Sequence, residues 1–195
     1  TRQTIVSHPD QVLAWHLGAD KPGSISGTLA LKGAHPEGEK TTLADRTIRL
    51  AGTLPNNLRY EARATVVAKG GTVGEDNGAL CLTGCDEALV LLAADTNYVI
   101  DLAAGWMKGD PAEKVAPRLA KAAGRGWPDL LQRHETDHRA LFDRVAIDLG
   151  VTDPAIAALP TDQRIQRYRD QAKELPRPCL DPELEALPFH YGRYL

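Results

Sequence analysis

The chain has no apolar run approaching the roughly 20 residues of a membrane-spanning helix. It has no block of like charge. Lys and Arg number 23 against 26 Asp and Glu, for a formal net charge of -3. That balance gives no electrostatic case for nucleic acid or for an anionic membrane surface. Cysteine is scarce and odd in number: Cys81, Cys85 and Cys179. The stretch "CLTGC" has the wrong gap for Cys-x-x-Cys, and no second pair follows. The thiols therefore read as free, small apolar residues. A Cys81–Cys85 bridge would have to close across a turn, where the side chains diverge. There is no Gly-x-Ser-x-Gly elbow, no Gly-x-Gly-x-x-Gly and no P-loop. There is no internal repeat and no low-complexity tract. The first residue is Thr1, with no initiator Met and no signal-like segment, so the chain reads as a processed form or a fragment.

What is present looks like an ordinary soluble globular protein, 43% apolar and 25% charged. Its 195 residues suffice for one sizeable core, or one domain plus an appendage. Over the first 105 or so residues, short apolar or alternating runs read as strands: "QTIVSH", "QVLAWHLGA", "GSISGTLAL", "RTIRLAGT", "LRYEARATVVA", "ALCLT" and "EALVLLAAD". Turn chemistry separates them, as in "KPG", "LPNN", "KGG" and "DNG". Strands at this spacing predict antiparallel sheets packed as a sandwich. "KGGTVGEDNG" is glycine-rich but opens no helix, so it reads as hairpin turns rather than a phosphate loop. Trp15 and His16 are neighbours on one strand and must face opposite sides. Trp15 is assigned to the core and His16 to a solvated face.

After Trp106 the period changes. "DPAEKVAPRLAKAAGRG" opens like a helix, with Val115, Leu119 and Ala122 or Ala123 as its apolar stripe. Pro117 predicts irregular first turns. "GWPDLLQRHETDHRALFDR" restarts a helix, with Leu130, Leu131, His134, Leu141, Phe142 and Val145 at helical spacing. "RVAIDLG" then alternates Val145, Ile147 and Leu149, which predicts a strand returning to the sheets. Residues 151–160 read as a linker. "TDQRIQRYRDQA" is an amphipathic helix capped by Thr161 or Asp162. "DPELEALPFHYGRYL" starts another helix.

The most chemical-looking feature is "HETDH", which fits His-Glu-x-x-His. On a helix His134 and His138 share a face and would hold zinc, with Glu135 as general base. The context opposes this. A catalytic zinc needs a third protein ligand. The extended zinc-protease pattern would require Gly at 141 and His at 144, where the chain has Leu141 and Arg144. Glu174, Glu183 and Glu185 are the downstream carboxylates, and nothing marks one as a ligand. Asp137 and Arg139 add charge where such helices are usually uncharged. No metal, no cofactor and no catalytic residue is assigned. Sugar-binding residues stay unknown; Trp106 and Trp127, near the sheet-to-helix join, are loose candidates that read better as buried anchors.

The ordered set "SHPDQVLAWHLGADKPGSISGTLAL", "LRYEARATVVAKGGTV", "DEALVLLAADTNYV", "HETDHRALFDRVAIDLG", "LPTDQRI" and "DPELEALPFHYGRYL" resembles glycoside hydrolase family 95, the α-L-fucosidase and α-L-galactosidase family. The family's corresponding helix usually reads His-x-x-Asp-Tyr, then Leu-Phe and Arg-Val. His134, Asp137, Leu141, Phe142, Arg144 and Val145 match it. His138 stands where the family usually has Tyr, so the zinc-like motif looks like one departure plus a variable Glu135. The resemblance implies a mainly β chain with helices (α+β): part of an antiparallel β-super-sandwich followed by linker helices. It implies sandwich over 1–109, linker helices and a return strand over 110–150, and linker plus the first helix of an (α/α)6 barrel over 151–195. It also implies that the acid and base of an inverting glycosidase lie beyond Leu195. The remainder of a longer, secreted bacterial enzyme, its catalytic barrel, would be the partner, with self-association through uncovered surfaces and carbohydrate met through the parent. A stand-alone carbohydrate-binding sandwich and a zinc peptidase are the rival readings.

Overall fold

The computed structural model describes residues 1–35, 38–171 and 181–194. Cys179, Glu174 and Leu195 lie outside the described residues. The chain divides into two compact units, Thr1–Asp137 and His138–Leu195.

Unit one holds two antiparallel sheets. The six-stranded sheet runs in the order β1-β2-β9-β6-β5-β4. Its strands are β1 (Arg2–Ser7), β2 (Val12–Gly18), β4 (Lys40–Ala44), β5 (Thr47–Thr53), β6 (Arg59–Lys69) and β9 (Glu87–Thr96). The three-stranded sheet is β3 (Ile25–Leu29), β8 (Ala79–Cys85) and β7 (Thr72–Asp76), with β8 central. The long strands β6 and β9 pair over ten positions, from Tyr60↔Thr96 to Lys69↔Glu87. They are the most apolar runs of the sequence, as central strands should be.

Two cores lie on the two faces of the large sheet, and period-2 alternation sorts residues between them. Along β9, Leu89, Leu91 and Ala93 join one core while Ala88 and Val90 join the other. The second core fills the sandwich, where Ile48, Val66, Leu80, Leu82 and Cys85 meet with Trp15 and Leu17 at its margin. On β8 the even positions Leu80 and Leu82 point inward, yet so does Cys85. Gly84, at φ 63°, carries a bulge that shifts the parity. Cys81 and Cys85 are free thiols, as expected.

The first core is closed by helices. α1 (Ala112–Arg125) lays Val115, Leu119 and Ala122 on Val12, Ala14, Leu89 and Leu91. α2 (Trp127–Phe142) adds Trp127 and Leu130. Only Gly126 separates the helices. Its φ of 78° and ψ of 167° suit glycine alone and turn the chain sharply. The irregular first turns expected from Pro117 do not occur. α1 is continuous from Ala112, because its buried stripe outweighs the single hydrogen bond that Pro117 cannot donate.

Unit two begins in the last turn of α2 and contains α3 (Pro154–Ala157), α4 (Thr161–Gln171) and α5 (Pro182–Tyr194). The expected return strand at Val145, Ile147 and Leu149 is not formed; residues 145–150 have no regular structure. Their carbonyls are taken by side chains of α5 instead. His190 Nε2 lies 3.2 Å from the Ile147 carbonyl. Arg193 donates to the carbonyls of Val145 and Phe142. Among the described residues no helix is long and apolar enough to cross a membrane.

Candidate functional site

The His-Glu-x-x-His residues are helical, but their surroundings differ. Asp137 Oδ2 lies 3.2 Å from Nδ1 of His8, on the β1–β2 turn. Thr136 donates its hydroxyl to the Gln132 carbonyl at 2.8 Å, within the helix. In unit two, His138 stacks on Phe142 at 5.0 Å and meets Tyr194 edge-on at 5.5 Å. That is an environment a tyrosine would also fill. Glu185 Oε1 accepts from the Tyr168 hydroxyl at 3.1 Å, and the Glu183 amide donates to Thr152. Among the described residues no three His, Cys, Asp or Glu side chains gather into a metal-sized cluster.

His16 overturns its assignment to a solvated face. Its ring stacks on Trp127, centroids 4.8 Å apart and 6° from parallel. Its Nε2 lies 3.2 Å from Glu87 Oε1, and its side chain is 13% exposed. The apolar face of α2 covers the row of β2 that carries His16, and the flat indole replaces water there. Glu87 also takes Lys69 Nζ at 2.6 Å, and that ammonium holds its carboxyl below the usual range.

Three charge networks were not legible in the sequence. Asp10, on the β1–β2 turn, is 2% exposed at its side chain. It accepts the Ser7 hydroxyl at 2.8 Å and Arg133 Nε at 3.0 and 3.2 Å. Arg125 Nε lies 3.3 Å away as an ionic contact without hydrogen-bond alignment. The turn "SHPD" is thus an anchor that fastens the sheet to both helices.

The second network solves a like-charge problem. Glu61 and Asp95 are direct cross-strand partners on β6 and β9. Two carboxylates so placed repel. Each has its own cations. Glu61 accepts Arg49 Nε at 2.9 Å and Arg63 Nε at 2.6 Å. Asp95 takes Arg118 at 2.6 Å and Lys114 at 3.6 Å from α1. Burial alone would raise Asp95, but the Thr96 amide, Arg118 and Lys114 outweigh it and hold the carboxyl low.

The third lies in unit two. Asp181 precedes α5 and accepts Arg164 Nε at 2.8 Å and Nη2 at 2.6 Å, a two-pronged pair. Thr152 donates to the same carboxylate at 2.7 Å and the Leu184 amide at 3.0 Å. Arg164, followed by Thr152 and the amide, holds Asp181 far below the usual carboxylate range against the opposing effect of burial. Asp95 and Asp181 are thus held as anions, the reverse of what a general acid requires.

The aromatic candidates separate. Trp127 is a buried anchor, as expected. Trp106 is 43% exposed, adopts φ 66° and stacks on Tyr98 at 6.4 Å.

Residues 1–101 match the family model described as "Glycosyl hydrolase family 65, N-terminal domain", and residues 126–195 match "Glycosyl hydrolase family 95 catalytic domain". The chain belongs to the family of glycosyl hydrolases that carry this family 65-type N-terminal domain, and over residues 126–195 it is similar to the family 95 catalytic domain. Among curated proteins it is similar to "Alpha-L-fucosidase 2" of Arabidopsis thaliana, 28% identical over 228 residues. It is also similar to "Probable alpha-fucosidase A" of Aspergillus niger, 28% identical over 214 residues. Both alignments take in 100% of this chain but only 26% and 25% of the relatives. The chain spans about a quarter of the length of the curated relatives it matches. The family 95 match begins at Gly126, the α1–α2 joint, and residues 102–125, which hold α1, lie between the two matches.

Proposed function

We propose that these residues are the non-catalytic sandwich and linker of a longer, secreted glycoside hydrolase that removes terminal α-linked L-fucose or L-galactose. Residues 1–109 supply the sandwich, 110–150 the linker, and 151–195 lead into the catalytic barrel. One observation carries this reading: the whole chain aligns to an α-L-fucosidase while covering 26% of it. The electrostatics support it. An inverting glycosidase sets a protonated acid and an ionised base about 6.5–9.5 Å apart across the sugar. The carboxylates with a resolved shift here, Glu87, Asp95 and Asp181, are all held ionised by cations or hydrogen-bond donors. The exposed apolar side chains of α5, including Leu187, Phe189 and Tyr191, suit a helix that is covered on more sides than unit two covers it.

The test is release of L-fucose from an α-1,2-fucosylated oligosaccharide. The purified 195-residue protein is inert and the full-length product of the same reading frame is active. Turnover by the 195-residue protein that survives repurification and is lost in Glu135→Gln overturns the reading. The same reading frame tests export, through the presence of a cleavable leader.

A further inference from the structure

Beside β3 the sandwich is open. A groove of about 690 Å³ lies between the sheets there, and Trp15, Leu17, Ile25, Leu29, Leu82 and Val90 line it. These are core side chains, not surface ones; Leu82 and Val90 are buried members of the sandwich core. The charged lining, Arg2, Asp20 and Lys21, is exposed and forms the rim together with the exposed hydroxyls of Thr1, Ser24, Ser26 and Thr28. Among the described residues β3 is the edge of its sheet, paired to β8 alone. Gly27 stands in the alternating row of Ile25 and Leu29. A Cβ built there would meet nothing within 4 Å, so the sandwich interior is unfilled opposite it.

We propose that this groove receives one β-strand of the longer polypeptide, hydrogen-bonded along the free edge of β3 with alternate apolar side chains against Trp15 and Leu17. The proposal rests on the reading of the chain as part of a longer hydrolase, whose relatives are about four times its length. A sugar is a poor occupant. Its hydroxyls would lie against Leu17, Leu29, Leu82 and Val90 without partners, and buried unpaired polar groups are costly. A strand satisfies both chemistries, because an edge offers backbone donors and acceptors and the groove accepts alternate side chains.

The experiment places a thiol in the gap. Gly27→Cys is made in the 195-residue protein and in the full-length product of its reading frame. Alkylation at residue 27 by a bulky maleimide is followed by peptide mass spectrometry. The expected result is rapid labelling in the short protein and at least tenfold slower labelling in the long one. Hydrogen exchange across residues 24–30 of the unsubstituted proteins gives the same comparison if the variant folds poorly, with slower exchange expected in the long protein. Equal labelling and equal exchange overturn the proposal, as does a reading frame that encodes only these 195 residues. Dimerisation of the short protein with the introduced thiol protected also overturns it, by making a second copy the occupant. Fucosidase activity of the long protein is assayed separately. An active enzyme whose introduced thiol is unprotected sinks the strand and leaves the function standing, while protection without activity does the reverse.

Discussion

The imidazole of His16 and the indole of Trp127 lie 4.8 Å apart and 6° from parallel. That stack joins the large sheet to α2 one residue beyond the joint at Gly126. Trp127 is 7% exposed and shares a core with Leu130, Leu119 and Ala14. Trp127→Ala removes the stack and leaves a large cavity, which costs about 3–5 kcal/mol. In a unit of this size that is a fall in Tm of roughly 10 °C or more. Trp127→Phe keeps an aromatic face over His16 and should lose less than half as much. Thermal unfolding followed by far-UV circular dichroism separates the two variants, and equal losses would show that the stack contributes nothing beyond volume.

Asp181 gives unit two an acid-sensitive lock. Its folded carboxyl titrates below the unfolded one, which titrates near ~3.9. The folded state therefore binds fewer protons than the unfolded state at mildly acid pH. The contribution is fully present above about pH 4 and is lost progressively as pH falls from there through the folded value. Asp181→Asn should lower stability at pH 7 and flatten its dependence between roughly pH 4 and 2. Asp181→Ala should cost about 2–4 kcal/mol at neutral pH, because Arg164, 14% exposed, is left with only the exposed Glu183 carboxylate, 4.0 Å away. Denaturant melts at several pH values read both effects. An unchanged acid slope in Asp181→Asn would remove the carboxylate from this role.

The parts of the fold that follow from hydrophobic period were legible. β1, β2, β3, β5, β6, β8 and β9 coincide with the apolar runs, extending past them by one or two residues at Arg2, Lys69, Cys85 and Thr96, and Asn77 and Gly78, at φ 48° and 76°, form the hairpin turn that "DNG" signals. The strands missed, β4 and β7, are short sheet edges with few buried residues, so period-2 contrast is weak in "KTTLA" and "TVGED". The β4–β5 turn has Asp45 and Arg46 at φ 50° and 56°, without the glycine that usually announces it. Alternation also misled. Val145, Ile147 and Leu149 alternate as a strand does, but Arg193 and His190 take the local carbonyls, and no sequence window of that length contains them. The charge networks were opaque for the same reason. Asp10 and Arg133 are 123 residues apart, and Asp181 and Arg164 are 17 apart, one just before α5 and the other on α4.

Glu61 holds apart two guanidinium groups that otherwise face each other. Arg49 and Arg63 are direct cross-strand partners, and the Glu61 side chain between them is 1% exposed. Glu61→Ala removes the only carboxylate they are shown to share. Arg49 is 40% exposed and keeps part of its hydration, so the expected loss is about 2–3 kcal/mol, below that of a fully buried pair. Adding Arg49→Met to Glu61→Ala should restore at least half of it. A double-mutant cycle by urea unfolding makes the measurement; a double variant no more stable than Glu61→Ala would show that repulsion between the arginines is not the cause.

The last expectation concerns His138, the residue that makes the zinc-like motif. It stacks on Phe142 at 5.0 Å and meets Tyr194 at 5.5 Å. Phe142 also carries the Arg193 guanidinium 4.6 Å above its ring. The site is therefore aromatic and cation-lined, and a tyrosine offers it a larger ring with the same quadrupole. Aromatic pairs contribute roughly 0.5–1.5 kcal/mol beyond the area they bury. His138→Tyr should leave the stability of unit two unchanged or raise it, while His138→Ala should lower it by about 1–3 kcal/mol. If zinc were bound by His134 and His138, the ranking would differ. Both variants would lose the metal and destabilise alike, and a chelator would lower the Tm of the unsubstituted protein. We expect no chelator effect and no stoichiometric zinc by elemental analysis. Zinc that accompanies the protein one to one, and leaves in both His138 variants, would restore the peptidase reading and remove the aromatic one.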